Sequence, residues 1–193
     1  MKNIILFTLL SFISMFNYSC NKPDKESKIK LVLTGSVHGQ LDPCGWKKNP
    51  LGGLSRKYSA IDNMRKNGAK PLILDAGDMF FSKTNITSNI KSEKYRCSTM
   101  LKGYEKIGCD ALNIGKYELL AGVDFLKQME NTYKSIPFIS ANIKYRNTGE
   151  LLFRPYVIQE RDGLKLGIIG LSNMVPDTMV SLLVDDYIEA GNI

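Results

Sequence analysis

Apolar residues along this chain alternate between two rhythms. Lys30 to Thr34 is a short run of strand-forming residues that breaks at Gly35, which predicts a first strand. Leu54, Tyr58, Ile61 and Met64 recur three or four positions apart, and Asn67-Gly68 follows, so a helix is expected to stop there. Pro71 to Asp75 reads as a second, buried strand ending in Ala76-Gly77-Asp78. Residues 79–92 read as polar loop, and Tyr95 to Ile107 as helix. Ala111 to Ile114 predicts a third strand ending at Gly115. Phe125, Leu126, Met129 and Tyr133 share a helical face, and Pro137 to Ala141 supplies a fourth strand. Tyr156–Glu160 and Leu164–Leu171 pair as a hairpin around Asp162-Gly163, and a short amphipathic stretch follows Leu171.

Strand, helix, strand, helix with short apolar strands predicts an α/β layered fold with helices on both faces of a sheet. In such sheets ligands sit beyond the carboxyl ends of the strands. Three polar clusters fall there: Ser36 to Gln40, Asp75 to Asp78, and Gly115 to Glu118. A strand end must be polar in any case, so it is the repetition after three strands that marks a candidate site.

The chain has 193 residues, of which 44% are hydrophobic and 23% charged, a globular composition that excludes disorder and fibrous repeats. Its single histidine, His38, excludes any mechanism in which this chain alone supplies several imidazoles. The start of the chain has its own character. Met1-Lys2-Asn3 precedes an apolar run from Ile4 to Phe16, too short for a comfortable membrane span, which needs about 20 residues. Residues 1–19 therefore read as an export signal. Ser19-Cys20 resembles the processing site of bacterial lipoproteins, although Asn17 stands where leucine is usual. The resemblance implies lipid on Cys20, a polar tether over residues 20–28, and membrane anchoring in a bacterial cell envelope.

Residues 1–19 hold one lysine and no acid, so removing them lowers the formal charge from +7 to +6. The basic residues are scattered, with no arginine-rich block, so no nucleic acid is expected as a partner. With Cys20 lipidated, Cys44, Cys97 and Cys109 remain. Three cysteines cannot all pair, and none sits in a Cys-x-x-Cys motif.

The ordered motifs reach a family resemblance. Leu31-Val32-Leu33-Thr34-Gly35-Ser36-Val37-His38-Gly39-Gln40, then Gly52-Gly53-Leu54-Ser55-Arg56, then Leu72 to Asp78, then Gly108 to Glu118, then Phe138 to Asn142 and Gly167 to Leu171 resemble the calcineurin-like metallophosphoesterases, in their 5′-nucleotidase branch. The similarity spans residues 29–172 and implies that residues 29–193 form a partial metallophosphoesterase-like domain. The family holds two metal ions with an Asp-x-His pair, an Asp after the second strand, the Asn of Gly-Asn-His-Glu and later histidines. Here Ser36 replaces the first Asp, while His38 and Asp78 match. The third motif reads Gly115-Lys116-Tyr117-Glu118, without its Asn and His, and the chain has no further histidine.

These replacements carry chemical weight. Two-metal hydrolysis of a phosphate ester needs a hydroxide held between cations about 3.5–4 Å apart, fixed by several anionic or imidazole ligands. His38 and Asp78 are the expected metal residues, with Asp75 or Glu118 close by, and could hold one divalent ion (Mn, Zn or Mg) weakly. Lys116 brings positive charge where a ligand belongs and is the expected contact for a phosphate group. Tyrosine is too weak an acid to replace the lost catalytic histidine, so no residue of this chain is assigned a catalytic role. Three functions compete: a metal-dependent phosphoesterase acting on a nucleotide or other phosphate ester, a lipid-anchored binding module on the same scaffold, and a fragment without its own activity. The last strands and ligands of the family have no counterpart after Leu171, so apolar surface is expected to lie uncovered, with a second chain as one way to complete the sheet.

Overall fold

A computed structural model describes residues 28–45, 51–81 and 89–191. The expectations for residues 1–19, for Cys20 and for nearly all of the tether fall outside these residues. Four parallel strands lie side by side in chain order: β1 (Leu31–Thr34), β2 (Leu72–Asp75), β3 (Ala111–Asn113) and β4 (Phe138–Ile139). Each crossover contains a helix: α1 (Leu54–Lys66), α2 (Ile90–Ile107) and α3 (Val123–Thr132). A mixed α/β fold around a parallel sheet is thus the architecture, as the alternating pattern predicts.

The register in the sheet fixes which side chains share a face. Leu31, Val32, Leu33 and Thr34 stand opposite Leu72, Ile73, Leu74 and Asp75. Val32 and Ile73 face one way and join Ile61 of α1 and Ile107 of α2 in a small apolar cluster. Leu31 and Leu33 face the other way and remain 57% and 63% exposed. Two apolar side chains of the β1 edge are thus open to solvent.

Helix α2 shows why its sequence folds as it does. Cys97, Met100, Leu101, Tyr104 and Ile107 recur at helical spacing and are all buried. Gly108, at φ 74°, ends the helix in a left-handed turn, its N–H reaching the carbonyls of Tyr104 and Glu105. Gly103 permits close helix packing, because a Cβ there would come within 2.2 Å of Leu54 Cδ2 at the start of α1.

The structure departs from the sequence reading in three places. Residues 79–92 are not one polar loop: Met79, Phe80 and Phe81 are among the most buried side chains of the core, and α2 already begins at Ile90. A 3₁₀ turn, Tyr117–Ala121, follows β3. Beyond β4, β5 (Ile143–Tyr145) pairs antiparallel with β8 (Leu182–Val184), so part of the stretch after Leu171 is a strand. Its last element is the four-residue helix α4 (Tyr187–Ala190), capped by the Asp186 carboxylate.

Between β5 and β8 lies the expected hairpin, β6 (Tyr156–Arg161) and β7 (Leu164–Ile169). Asp162 and Gly163 both take positive φ, 49° and 81°, as a two-residue hairpin turn requires. Asp110 ties this hairpin to the parallel sheet. Its Oδ1 pairs with the Arg161 guanidinium, its Oδ2 accepts the Ile73 N–H at 2.8 Å, and its carbonyl accepts from Gln159 at 3.0 Å. Asp110→Ala would leave the Ile73 N–H and the Arg161 charge without their acceptor, and is expected to cost about 2 kcal/mol in urea unfolding. An unchanged midpoint would show that the hairpin is held by other contacts.

Candidate functional site

The loop after β1 and the loop after β2 continue to pair once the sheet has ended. Ser36 N–H donates to the Gly77 carbonyl at 2.8 Å, His38 N–H to Asp78 at 3.0 Å, and Gly39 N–H to Met79 at 2.7 Å. The chain accepts unusual backbone angles to do this. Ser36, His38 and Asp78 all sit at φ between 50° and 56°, each costing on the order of 1 kcal/mol for a residue with a Cβ. Gly77 is confined to glycine by space as well, since a Cβ would lie 2.7 Å from the Asn113 carbonyl oxygen.

Glu118 compensates for this strain. Its side chain is fully buried, and its two oxygens collect four backbone N–H groups. Oε2 accepts from Asp78 at 2.8 Å and Gly115 at 2.9 Å, while Oε1 accepts from Met79 at 2.5 Å and Phe80 at 3.3 Å. One carboxylate thus ties the loop after β2 to the loop after β3. Burial pushes its carboxyl up to about 7, against the opposing pull of these N–H donors. The 3₁₀ turn aims Glu118 inward, with Leu119 buried beside it.

The sequence-predicted residues meet at this junction. His38 and Asp78 lie on the two paired loops, and both are half-buried. Asp78 Oδ1 accepts the Tyr117 N–H at 3.0 Å, and the His38 ring packs edge-on against the Tyr117 ring with centroids 4.6 Å apart. Lys116 stands immediately before the turn, half-buried. His38 Nδ1 lies 3.2 Å from the Phe81 carbonyl oxygen, which can only accept. A ring that donates from Nδ1 to this carbonyl leaves Nε2 as the nitrogen a metal ion would use.

The donor set nevertheless falls short of a two-metal centre. Glu118 commits its oxygens to the backbone. Asp75 is buried, and its Oδ2 accepts the Thr34 hydroxyl at 2.6 Å and the Tyr104 hydroxyl at 2.7 Å, while Oδ1 accepts the Gly77 N–H at 3.0 Å. Lys57 Nζ lies 3.8 Å from the same Oδ2. Asp75 and Glu118 thus build the scaffold and are not available as ligands, contrary to the expectation that either would assist a metal. Among the described residues no group of three or more His, Cys, Asp or Glu side chains could hold a metal ion. His38 and Asp78 alone do not fit the two-cation chemistry.

The sequence places Glu118 near the metal residues without revealing its structural role, and gives no sign of Lys57. Glu118 belongs to the third polar cluster, and the apolar residues that follow it, Leu119 and Leu120, are the signal that it points inward. Lys57 has a helical position like any surface lysine, and nothing in its spacing reveals that it reaches Thr34 at 2.7 Å and lies over the Tyr104 ring.

Glu118→Ala would strand four buried N–H groups, so it is expected to cost about 3 kcal/mol or more in urea unfolding. A pH effect accompanies it. Glu118 holds its proton more tightly folded than unfolded, so its contribution to stability is complete below about pH 4.5 and is lost as pH rises through about 7. Glu118→Gln should remove that part of the pH dependence; an identical profile in both proteins would contradict the assignment.

Comparison with known proteins places this geometry. The chain is 32% identical over 155 residues to the protein UshA of Escherichia coli K12, matching 77% of this chain and 26% of UshA. A 5′-nucleotidase of Vibrio cholerae is also 32% identical, over 156 residues, with the same shares. The chain thus spans about a quarter of the length of the curated relatives it matches. No family model matches it. Among solved structures, the 5′-nucleotidase precursor of Thermus thermophilus superposes with a TM-score of 0.70 at 22% identity, covering 84% of this chain and 33% of that one. The calcineurin-like phosphoesterase YfkN of Bacillus subtilis gives 0.63 at 22% identity, covering 85% and 56%. Sequence and fold agree: over its matched residues this chain is a homologue of UshA and the 5′-nucleotidases, and its fold is the one seen in the 5′-nucleotidase and calcineurin-like phosphoesterase structures.

Proposed function

We propose that this chain is an exported, lipid-anchored domain of the 5′-nucleotidase type that does not hydrolyse phosphate esters on its own. The observation that carries the reading is the fate of the carboxylates. Glu118 and Asp75 are occupied by protein donors, Ser36 stands in place of a ligand, and among the described residues His38 and Asp78 remain. The family relationship supports a divalent cation in general, and these two residues would hold one weakly. A bridging hydroxide between two cations has no support from this donor set.

What the scaffold retains is suited to binding. Lys116 places a positive charge at the junction of the loops, where a phosphate ester or nucleotide would find an electrostatic partner. The apolar run before Ser19-Cys20 supports lipid attachment at Cys20, which would hold the domain at a membrane surface of the cell envelope. The exposed Leu31 and Leu33 at the sheet edge support contact with a second chain.

Calorimetric titration of the purified chain with Mn²⁺ tests the central part. No micromolar binding is expected, and no hydrolysis of nucleoside monophosphates above the blank. Micromolar binding that disappears in both His38→Ala and Asp78→Ala, with accompanying hydrolysis, would overturn the reading. Restoring the family pattern with Ser36→Asp, Lys116→Asn and Tyr117→His together is expected to raise Mn²⁺ affinity at least tenfold. A folded triple variant without that gain would show that the motifs are misaligned. For the anchor, Cys20→Ser is expected to abolish incorporation of labelled fatty acid when the gene is expressed in a bacterium; undiminished labelling would place the lipid elsewhere.

A further inference from the structure

Beside the degenerate centre, between the loop after β1, the start of α1 and the middle of α2, lies a cavity of 530 Å³. That is within the range of small-molecule sites. Val37, Leu54 and Met100 give it apolar walls, and Arg56 and Gln40 stand among its polar lining. Thr34, Lys57 and the Tyr104 ring line it as well. The Lys57 side chain is 15% exposed.

The Lys57 ammonium is held by several partners, and its ion pair is a long one. Its Nζ donates to Thr34 Oγ1 at 2.7 Å and lies 3.8 Å above the Tyr104 ring. Its ion-pair partner among the described residues is Asp75, at 3.8 Å, well beyond a charge-assisted hydrogen bond. Asp75 is satisfied without it, by the Thr34 and Tyr104 hydroxyls and the Gly77 N–H. Burial lowers the proton affinity of Lys57, and the Asp75 charge recovers only part of that loss. A buried cation in this condition gains from any anion that reaches it.

We infer that this cavity is a ligand site for a compact apolar acid, whose carboxylate pairs with Lys57 while its hydrocarbon body packs against Val37, Leu54 and Met100. The class follows from the lining. An inorganic anion would leave the apolar walls unfilled, and a neutral apolar molecule would leave the ammonium as it is. The cavity shares Thr34, Ser36, Lys57 and Tyr104 with the surroundings of Asp75 but needs no metal, so it stands or falls separately from the proposed lack of hydrolysis.

The full chain, labelled with ¹³C at methionine methyl groups, allows a direct test by NMR. Titration with benzoate is expected to move the Met100 methyl resonance saturably, with benzamide binding at least tenfold more weakly. Lys57→Met is expected to abolish the preference for the acid. Because that variant removes a buried contact, Gln40→Trp provides a second arm: it narrows the cavity, leaves Lys57 and its partners in place, and should weaken benzoate at least tenfold. Three results would overturn the inference: no saturable shift in a protein with a dispersed spectrum, equal affinity for benzoate and benzamide, or saturation at Met100 by inorganic phosphate in the absence of any response to benzoate.

Discussion

The candidate site depends on one buried carboxylate. Glu118 gathers four backbone N–H groups from two loops that would otherwise carry unpaired donors into the core, and it does so beside three residues held at positive φ. Each strained residue costs on the order of 1 kcal/mol, and each unmet buried donor would cost about 1–3 kcal/mol. The hydrogen bonds to Glu118 are large enough to offset the strain, so the loops keep their conformation by protein contacts. The same arrangement uses up the carboxylate. A group that has four N–H donors to satisfy has no lone pair left for a cation.

Asp75 repeats this logic on the neighbouring strand. It sits at the end of β2, where a ligand-binding sheet would present a carboxylate, yet Thr34, Tyr104 and Gly77 occupy its oxygens. Its interactions pass sideways to Lys57 and so to the cavity between α1 and α2. Two acids that composition alone would count toward a metal centre are therefore structural. What remains at the junction of the loops, among the described residues, is the His38 imidazole, the Asp78 carboxylate and Lys116.

Much of this is legible in the sequence. The strands ending at Thr34, Asp75 and Asn113 are short, apolar and bounded by glycine or polar residues, so their existence and their alternation with helices follow from the pattern. The Asp162-Gly163 turn announces the hairpin through its chemistry. The burial of Met79, Phe80 and Phe81 is not legible, because three apolar residues after a strand end have no period to assign them. Strands β5 and β8 escape for a related reason: each is three residues long, and they find each other across the whole of the β6–β7 hairpin. His38, Asp78 and Lys116 can be placed near one another from motif order. That Glu118 and Asp75 are committed to the backbone and to neighbouring hydroxyls cannot be read there, because spacing does not reveal hydrogen-bond partners.

Glu118, and no metal, holds the loops of this site together. Amide hydrogen exchange at Met79 and Gly115, measured in the presence of a chelator, tests it most directly. Both N–H groups are predicted to exchange as slowly as the core of the sheet, and Mn²⁺ added in place of the chelator is predicted to leave their rates unchanged. Rapid exchange in chelator that becomes slow when Mn²⁺ is supplied would contradict the account and assign the organisation of the site to a bound cation.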